Sequence, residues 1–240
     1  MNKQHKYTLT EAVFTLAVSL LLFGAALPLV STEQMQAMSE HCKNNLKNSA
    51  QAMSAYAADN RGYYLTYMYD KDTYTKKQSH VTWGYWLSKY KYINNPLTMI
   101  CPAGDPDGVS SKNNNFQLNT FGILVNSEFM PYYRGSQDRN TRTIIGAKTT
   151  PGKTFMLVDS CDDKGKQSYS WNFRFKSGPM AQQRHDDGIH IVDFAGTVKA
   201  LQPGAFAADL AVDCRRTSVK PQTASYRDSE GKILNVGIVY

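Results

Sequence analysis

The sequence predicts an α+β fold: a long N-terminal α-helix, a membrane anchor continuing into an amphipathic half, packed on a small antiparallel β-sheet with long loops. Three observations predict it. No charge occurs from Ala12 to Thr32. Beyond that run, Met35, Met38, Cys42, Leu46, Ser49, Met53 and Tyr56 recur at spacings of three and four, one face of an amphipathic helix. Further on, "KTFMLVDS" and "GIHIVDFA" are apolar, β-rich runs bounded by turn residues.

The 240 residues suffice for one moderate domain plus an anchor. A net charge of +7 can attract anionic surfaces. The basic residues are scattered, however, with short pairs such as Lys76-Lys77 and Arg215-Arg216. They read as a solvated mixed surface, and nucleic acid is not an expected partner.

The uncharged run comes first among the elements. At 1.5 Å per residue it makes roughly 30 Å of helix, the thickness of a bilayer's hydrocarbon core. Lys3, His5 and Lys6 precede it and the next lysine is Lys43, so the positive-inside rule places the N-terminus in the cytoplasm. A cleaved signal peptide ending at "FGAALP" and a plain signal-anchor are the competing readings. Neither explains Glu11, because a carboxylate at a membrane boundary is costly without a partner.

Lys6-Tyr7-Thr8-Leu9-Thr10-Glu11 resembles the processing site of type IV prepilins. In that family an aromatic residue becomes the new N-terminus and a glutamate follows four residues later, the positions of Tyr7 and Glu11. Pro28 falls at the family's usual helix proline. Lys6 stands where the family has glycine, and Thr10 replaces an aliphatic residue. The resemblance implies cleavage between Lys6 and Tyr7 by a prepilin peptidase, followed by methylation of Tyr7. It implies pairing of the freed amine with Glu11 of a neighbouring subunit, which would set the axial stagger. Pro28 removes a helical hydrogen bond and can kink the helix.

"CKNNLKNSAQAMSAYAADNRGYYL" extends the likeness. It resembles the helix after the anchor in bacterial pseudopilin-like proteins whose C-terminal domain carries an H-X9-DG motif. "ICPAGDP", "TTPGKTFMLVDS" and "RHDDGIHIVDFAGTVKAL" resemble further landmarks of that group, in order, so the similarity runs from Tyr7 to about Leu201. After His185 and nine residues this chain has Ala195-Gly196 in place of aspartate-glycine. Gly196 keeps the position that most needs a positive φ.

The elements of the body follow. The helical stripe ends at "ADNRGYY", with Asn60 and Gly62 as stop signals. "GTVKAL" pairs with "GIHIVDFA" across Ala195-Gly196, "NTFGILVN" adds a strand, "GAFAADLAVDC" is helical and "KILNVGIVY" forms a last strand. "PDGVSSKNNN" and "YRGSQDRNTR" read as loops. Four cysteines, Cys42, Cys101, Cys161 and Cys214, form no C-x-x-C pair, and outside the cytoplasm they admit three disulfide connectivities. A Cys42–Cys101 bridge would clamp the "ICPAG" loop to the helix, leaving Cys161 with Cys214. Buried free thiols are the alternative.

No catalytic constellation stands out. There is no G-x-S-x-G elbow, P-loop or G-x-G-x-x-G. Asp159-Ser160 reads as a strand-end turn. His185, Asp187, His190 and Asp193 are ligand types, but on a strand His190 and Asp193 point to opposite faces. His185 and Asp187 alone make no tight zinc site. They are expected to hydrogen-bond the loop that enters the hairpin. Trp83, Trp86 and Tyr90 follow helical spacing and are expected to pack in the core. No metal, cofactor or enzymatic activity is expected.

The resulting expectation has three parts: a leader over 1–6, a transmembrane pilin-type helix over 7–32, and a periplasmic pseudopilin-like domain over 33–240. The protein is expected to be a single-pass protein of the bacterial inner membrane, its body periplasmic or at the cell surface. It would assemble into a filament of the type II secretion or type IV pilus kind. Its partners would be like subunits, a prepilin peptidase and a secretion-system assembly platform. The alternative is a membrane-tethered extracytoplasmic module that binds a glycan or other ligand without polymerising.

Overall fold

The computed structural model describes residues 8–62, 64–65, 68–71, 78–104, 120–124, 141–142, 152, 154–171, 179–214 and 223–237. Side chains are described for these except 22–32, 68–71, 78–81, 124, 141–142, 171, 211–214 and 223. The chain divides into two compact units, Met1–Met38 and Ser39–Tyr240. This division falls later than the expected one at 32/33.

Helix α1 is assigned to Leu9–Asp59. Its described side chains fall in two stretches, 9–21 and 33–59. No helix among the described residues is long and apolar enough to cross a membrane. The single-pass transmembrane anchor expected over 7–32 is thereby corrected, and with it the inner-membrane placement of the chain. The picture of one rod serving both as anchor and as packing helix is corrected too.

In the second unit α1 is followed by β1 (Tyr64–Leu65), β2 (Met68–Lys71), β3 (Gln78–Val81) and α2 (Trp83–Lys89). A 3-10 turn (Pro96–Met99), β4 (Ile123–Leu124), β5 (Thr141–Arg142), β6 (Phe155–Val158) and β7 (Ser160–Cys161) come next. Then come β8 (Ser170–Trp171), β9 (Met180–Gln182), β10 (Ile189–Asp193), β11 (Val198–Leu201), α3 (Pro203–Cys214), β12 (Thr223–Arg227) and β13 (Ile233–Gly237). Of the expected loops, "PDGVSSKNNN" lies outside the described residues, and "YRGSQDRNTR" ends in β5.

The expected small antiparallel sheet is a second correction. The described strands form a three-stranded sheet in the order β11-β10-β6, a four-stranded sheet in the order β13-β12-β9-β7, and the pairs β1-β5, β2-β3 and β4-β8. Two of the pairings, β12 with β9 and β4 with β8, are parallel. Parallel neighbours need a long crossover. Here β10, β11 and α3 supply it between β9 and β12.

The three-stranded sheet has a core on each face. β10 alternates as a strand must: Ile189 and Ile191 pack with Phe206, Ala207 and Leu210 of α3, while Val192 packs with Leu46 and Met53 of α1. A bulge accompanies the shift at Val192/Asp193, where Leu157 and Phe155 are the successive partners across β6. Met156 is the extra residue. It joins Leu157 on the α1 side instead of alternating away.

The helical stripe is buried from Cys42 through Leu46, Ser49, Met53 and Tyr56, whereas Met38 is half-buried and Met35 exposed. The helix ends in a turn of left-handed residues. Arg61 and Gly62 both have positive φ, and the Gly62 amide donates to the Ala57 carbonyl at 2.7 Å. In α3, Pro203 opens the helix, where its missing N–H costs nothing.

Candidate functional site: a buried cysteine, histidine and aspartate cluster

The site begins with two polar residues of α1. Asn45 Nδ2 donates to the carbonyls of Leu97 at 3.1 Å and Ile100 at 2.8 Å, and Ser49 Oγ donates to Thr98 O at 2.9 Å. These three bonds tie the 3-10 turn and its exit to the helix. Cys101 follows directly and so arrives beside Cys42, one turn before Asn45. The Cys101 amide donates to Gln167 Oε1 at 2.9 Å, and the Gly104 amide closes a tight Cys-Pro-Ala-Gly turn on Cys101 O.

The sheet supplies the other half. Asp159 leaves β6, and its amide donates to His190 O at 2.8 Å. Arg184 Nε donates to Asp159 Oδ1 at 3.0 Å, and Arg184 Nη2 donates to Ser160 O. After Arg184 the chain turns sharply, with Gly188 at φ +128° and its amide donating to His185 O. That turn folds His185 back over β10, so its ring stacks on His190 with centroids 4.5 Å apart. His185 Nε2 comes 3.1 Å from Cys101 Sγ.

One ligand atom from each of Cys42, Cys101, Asp159 and His185 lies within 4.8 Å of the other three. All four residues are buried, and Asp159 Oδ2 has no hydrogen-bond partner among the described residues. Burial, reinforced by the neighbouring Cys101, pushes the Cys42 thiol well up. Burial and the adjacent His190 push the His185 imidazole down. Desolvation of the Arg184 guanidinium opposes its charge, but Asp159 and the neighbouring Cys101 and Cys161 together outweigh that and raise its affinity for the proton.

A polar rim surrounds the cluster. Asp187 Oδ1 lies 2.8 Å from His190 Nε2, and Asp187 Oδ2 accepts from Ser39 Oγ at 2.9 Å and pairs with Lys43 Nζ at 2.7 Å. Partial burial opposes ionisation of Asp187, but the bonds from Lys43, His190 and Ser39 prevail and hold its carboxyl well below the usual range. Cys101 Sγ and His185 Nε2 are within hydrogen-bonding distance. With exposures of 1% and 6% neither meets solvent freely. A closed set of donors is suited to holding a group in place.

Comparisons with family models, with curated proteins and with solved structures find no match to this chain.

The residues singled out in the sequence are placed as follows. Lys6 and Tyr7 lie outside the described residues. Pro28 falls within the helical backbone of α1, its side chain outside the described set. Glu11 closes a capping box at the start of α1: its Oε2 accepts from the Thr8 amide at 2.9 Å and from the Thr8 hydroxyl at 3.0 Å. These bonds, the backbone one foremost, lower its carboxyl pKa. The T-x-x-E spacing is the signal in the sequence for a helix start.

Cys42, Cys101 and Cys161 are free buried thiols, and the side chain of Cys214 lies outside the described set. His190 is brought to His185 because the Gly188 turn reverses the chain before the strand starts. Gly196 takes φ +79° in the hairpin turn. The carboxylate missing at Ala195 is replaced from two residues back, where Asp193 Oδ1 accepts from the amides of Ala195 and Thr197, both at 2.9 Å.

The expected aromatic core holds for Trp83, whose Nε1 donates to Phe121 O. Trp86 is half-buried and stacks on the exposed Tyr90, with Lys89 Nζ 4.5 Å from the Trp86 ring centroid. Sequence reasoning missed Asp159, Arg184, Ser39 and Lys43 as a group. An acid placed directly after the buried run "FMLV" was the available signal.

Burial pushes the Cys161 thiol up to about 11. At pH 8 it is almost wholly protonated and unreactive. Maleimide added without reductant is expected to leave Cys161 unmodified in the native chain and to label it in denaturant. Peptide mass mapping reads both states, and a Cys161–Cys214 bridge would block the second labelling.

Proposed function

We propose that this chain is a pilin-like structural subunit that assembles with copies of its kind through the helix starting at Leu9. The carrying observation is the apolar surface of residues 9–21. Leu9, Val13, Phe14, Leu16, Leu20 and Leu21 are exposed by between 63% and 84%. Fully burying a side chain of this kind contributes roughly 1.5–3 kcal/mol. Six of them favour association strongly, and a contiguous apolar surface of this sort is a feature of interaction sites.

Glu11 is the one charge in that stretch. Its bonds to Thr8 fall on Oε2. In an assembled bundle Oε1 would accept from a cation of the neighbouring copy, and the prepilin resemblance supplies the freed amine of Tyr7. An uncompensated charge there would be expensive, so the pair would select one register.

Glu11→Gln separates this role from the capping box, because glutamine also serves at that position of the box. The variant is expected to lose assembly, measured by sedimentation and electron microscopy, while the second unit melts unchanged. Undiminished assembly would reject the proposal. Mass spectrometry of the native N-terminus should find Tyr7 as the first residue.

A further inference from the structure

We propose that Cys42, Cys101, Asp159 and His185 form a structural zinc site that locks α1, the Cys101 turn and the three-stranded sheet together. Zinc bound by thiolate sulfur at about 2.3 Å and by nitrogen or oxygen at about 2.0–2.2 Å takes four ligands in a tetrahedron. Such ligand atoms stand roughly 3.3–3.8 Å apart, and the four donors here already converge within 4.8 Å. The set is two sulfurs, one imidazole nitrogen and one carboxylate oxygen, all supplied by the protein, and the four residues are buried. Such closure is the mark of a structural site; catalytic zinc keeps a position open.

Two further observations point to an ion. Asp159 Oδ2 is buried without a hydrogen-bond partner among the described residues, while Oδ1 is held by Arg184. An unpaired buried acceptor costs about 1–3 kcal/mol, more when charged. The fourth ligand position gives that oxygen its partner. The charges also balance: Zn²⁺ with two thiolates and one carboxylate carries −1, which the Arg184 guanidinium neutralises. Binding releases the two thiol protons.

The supporting shell is already in place. Arg184 orients Asp159, the Gln167 side chain fixes the Cys101 amide, and His190 stacked on His185 sets the ring plane that presents Nε2. A Cys42–Cys101 disulfide is the competing arrangement. It uses two of the four donors and leaves Asp159 Oδ2 as it stands.

The test uses the full chain, purified with thiols reduced and then offered Zn²⁺ or Co²⁺ alone. One zinc per chain is expected. The cobalt form should show sulfur-to-cobalt charge-transfer absorption, weakened in Cys101→Ser and absent when Cys42 is replaced as well. Asp159→Asn and His185→Gln, checked for folding by circular dichroism, should weaken zinc in chelator competition by at least about 10-fold, the least expected even for outer-shell partners. No zinc uptake by the reduced wild-type chain would overturn the proposal. So would full retention of zinc in Cys101→Ser, or a Cys42–Cys101 disulfide recovered from native protein by non-reducing peptide mapping.

Discussion

Gly188→Ala is expected to destabilise the second unit by about 4 kcal/mol. The residue has φ +128°, where a side chain is strained, and its added Cβ would lie 2.6 Å from Leu201 O and 2.7 Å from Leu201 C. Both atoms are backbone of the neighbouring strand, so no side-chain rotation relieves the clash. A strained dihedral contributes about 1–3 kcal/mol and overpacking a similar amount. Gly196→Ala is the control. Its φ is +79° but nothing lies within 4 Å of the added Cβ, so it carries the strain alone and should cost about 1 kcal/mol. Denaturant midpoints of the two variants check this. Equal losses would mean that the chain moves away from Leu201 at little cost.

Trp83→Ala is expected to cost about 3–5 kcal/mol, as large-to-small changes of buried aromatics do. Trp83 is 1% exposed and packs in the core shared with Leu46, Leu87 and Phe121. Its removal also takes away the shorter of two bonds to the Phe121 carbonyl, leaving the one from Thr120 Oγ1 at 3.5 Å. Trp86→Ala, three residues on, loses a stacked partner at 5.1 Å and a cation–π contact on a partly open surface. A loss nearer 1 kcal/mol is expected there. Thermal melts of the pair decide whether this helix serves the core through one tryptophan or through both.

How far the sequence disclosed this structure depends on the range of the forces. Local periodicity located α2, α3, β6, β10, β11 and β13, because each is a short run whose apolar spacing or turn residues act within a few positions. It also located the buried stripe from Cys42 to Tyr56. It misjudged Met35, since a periodic pattern continues past the point where there is anything to pack against. The two parallel ladders were not legible, because pairing β12 with β9 depends on what the crossover between them does. The cluster was half legible. Cys42 on the stripe and Cys101 in the "ICPAG" loop were expected to meet as a disulfide, whereas both are free thiols. Asp159 and His185 joined them only through the turn at Gly188 and the position of β6, and neither can be read from spacing. Glu11 shows that one residue can carry two readings: the prepilin resemblance drew attention to its charge, and its geometry makes it the capping partner of Thr8.

The parallel neighbour of β9 has a consequence for how the chain is made. β12 holds Ala224 and Tyr226 against the α3 face of the body and gives Gln182 and Ala181 their strand partners. These residues leave the ribosome after β9 and α3, the elements that they cover. Until they do, a nascent chain has one face of its body unsealed, and a stop placed before Thr223 should leave a polypeptide that proteases recognise as unfinished.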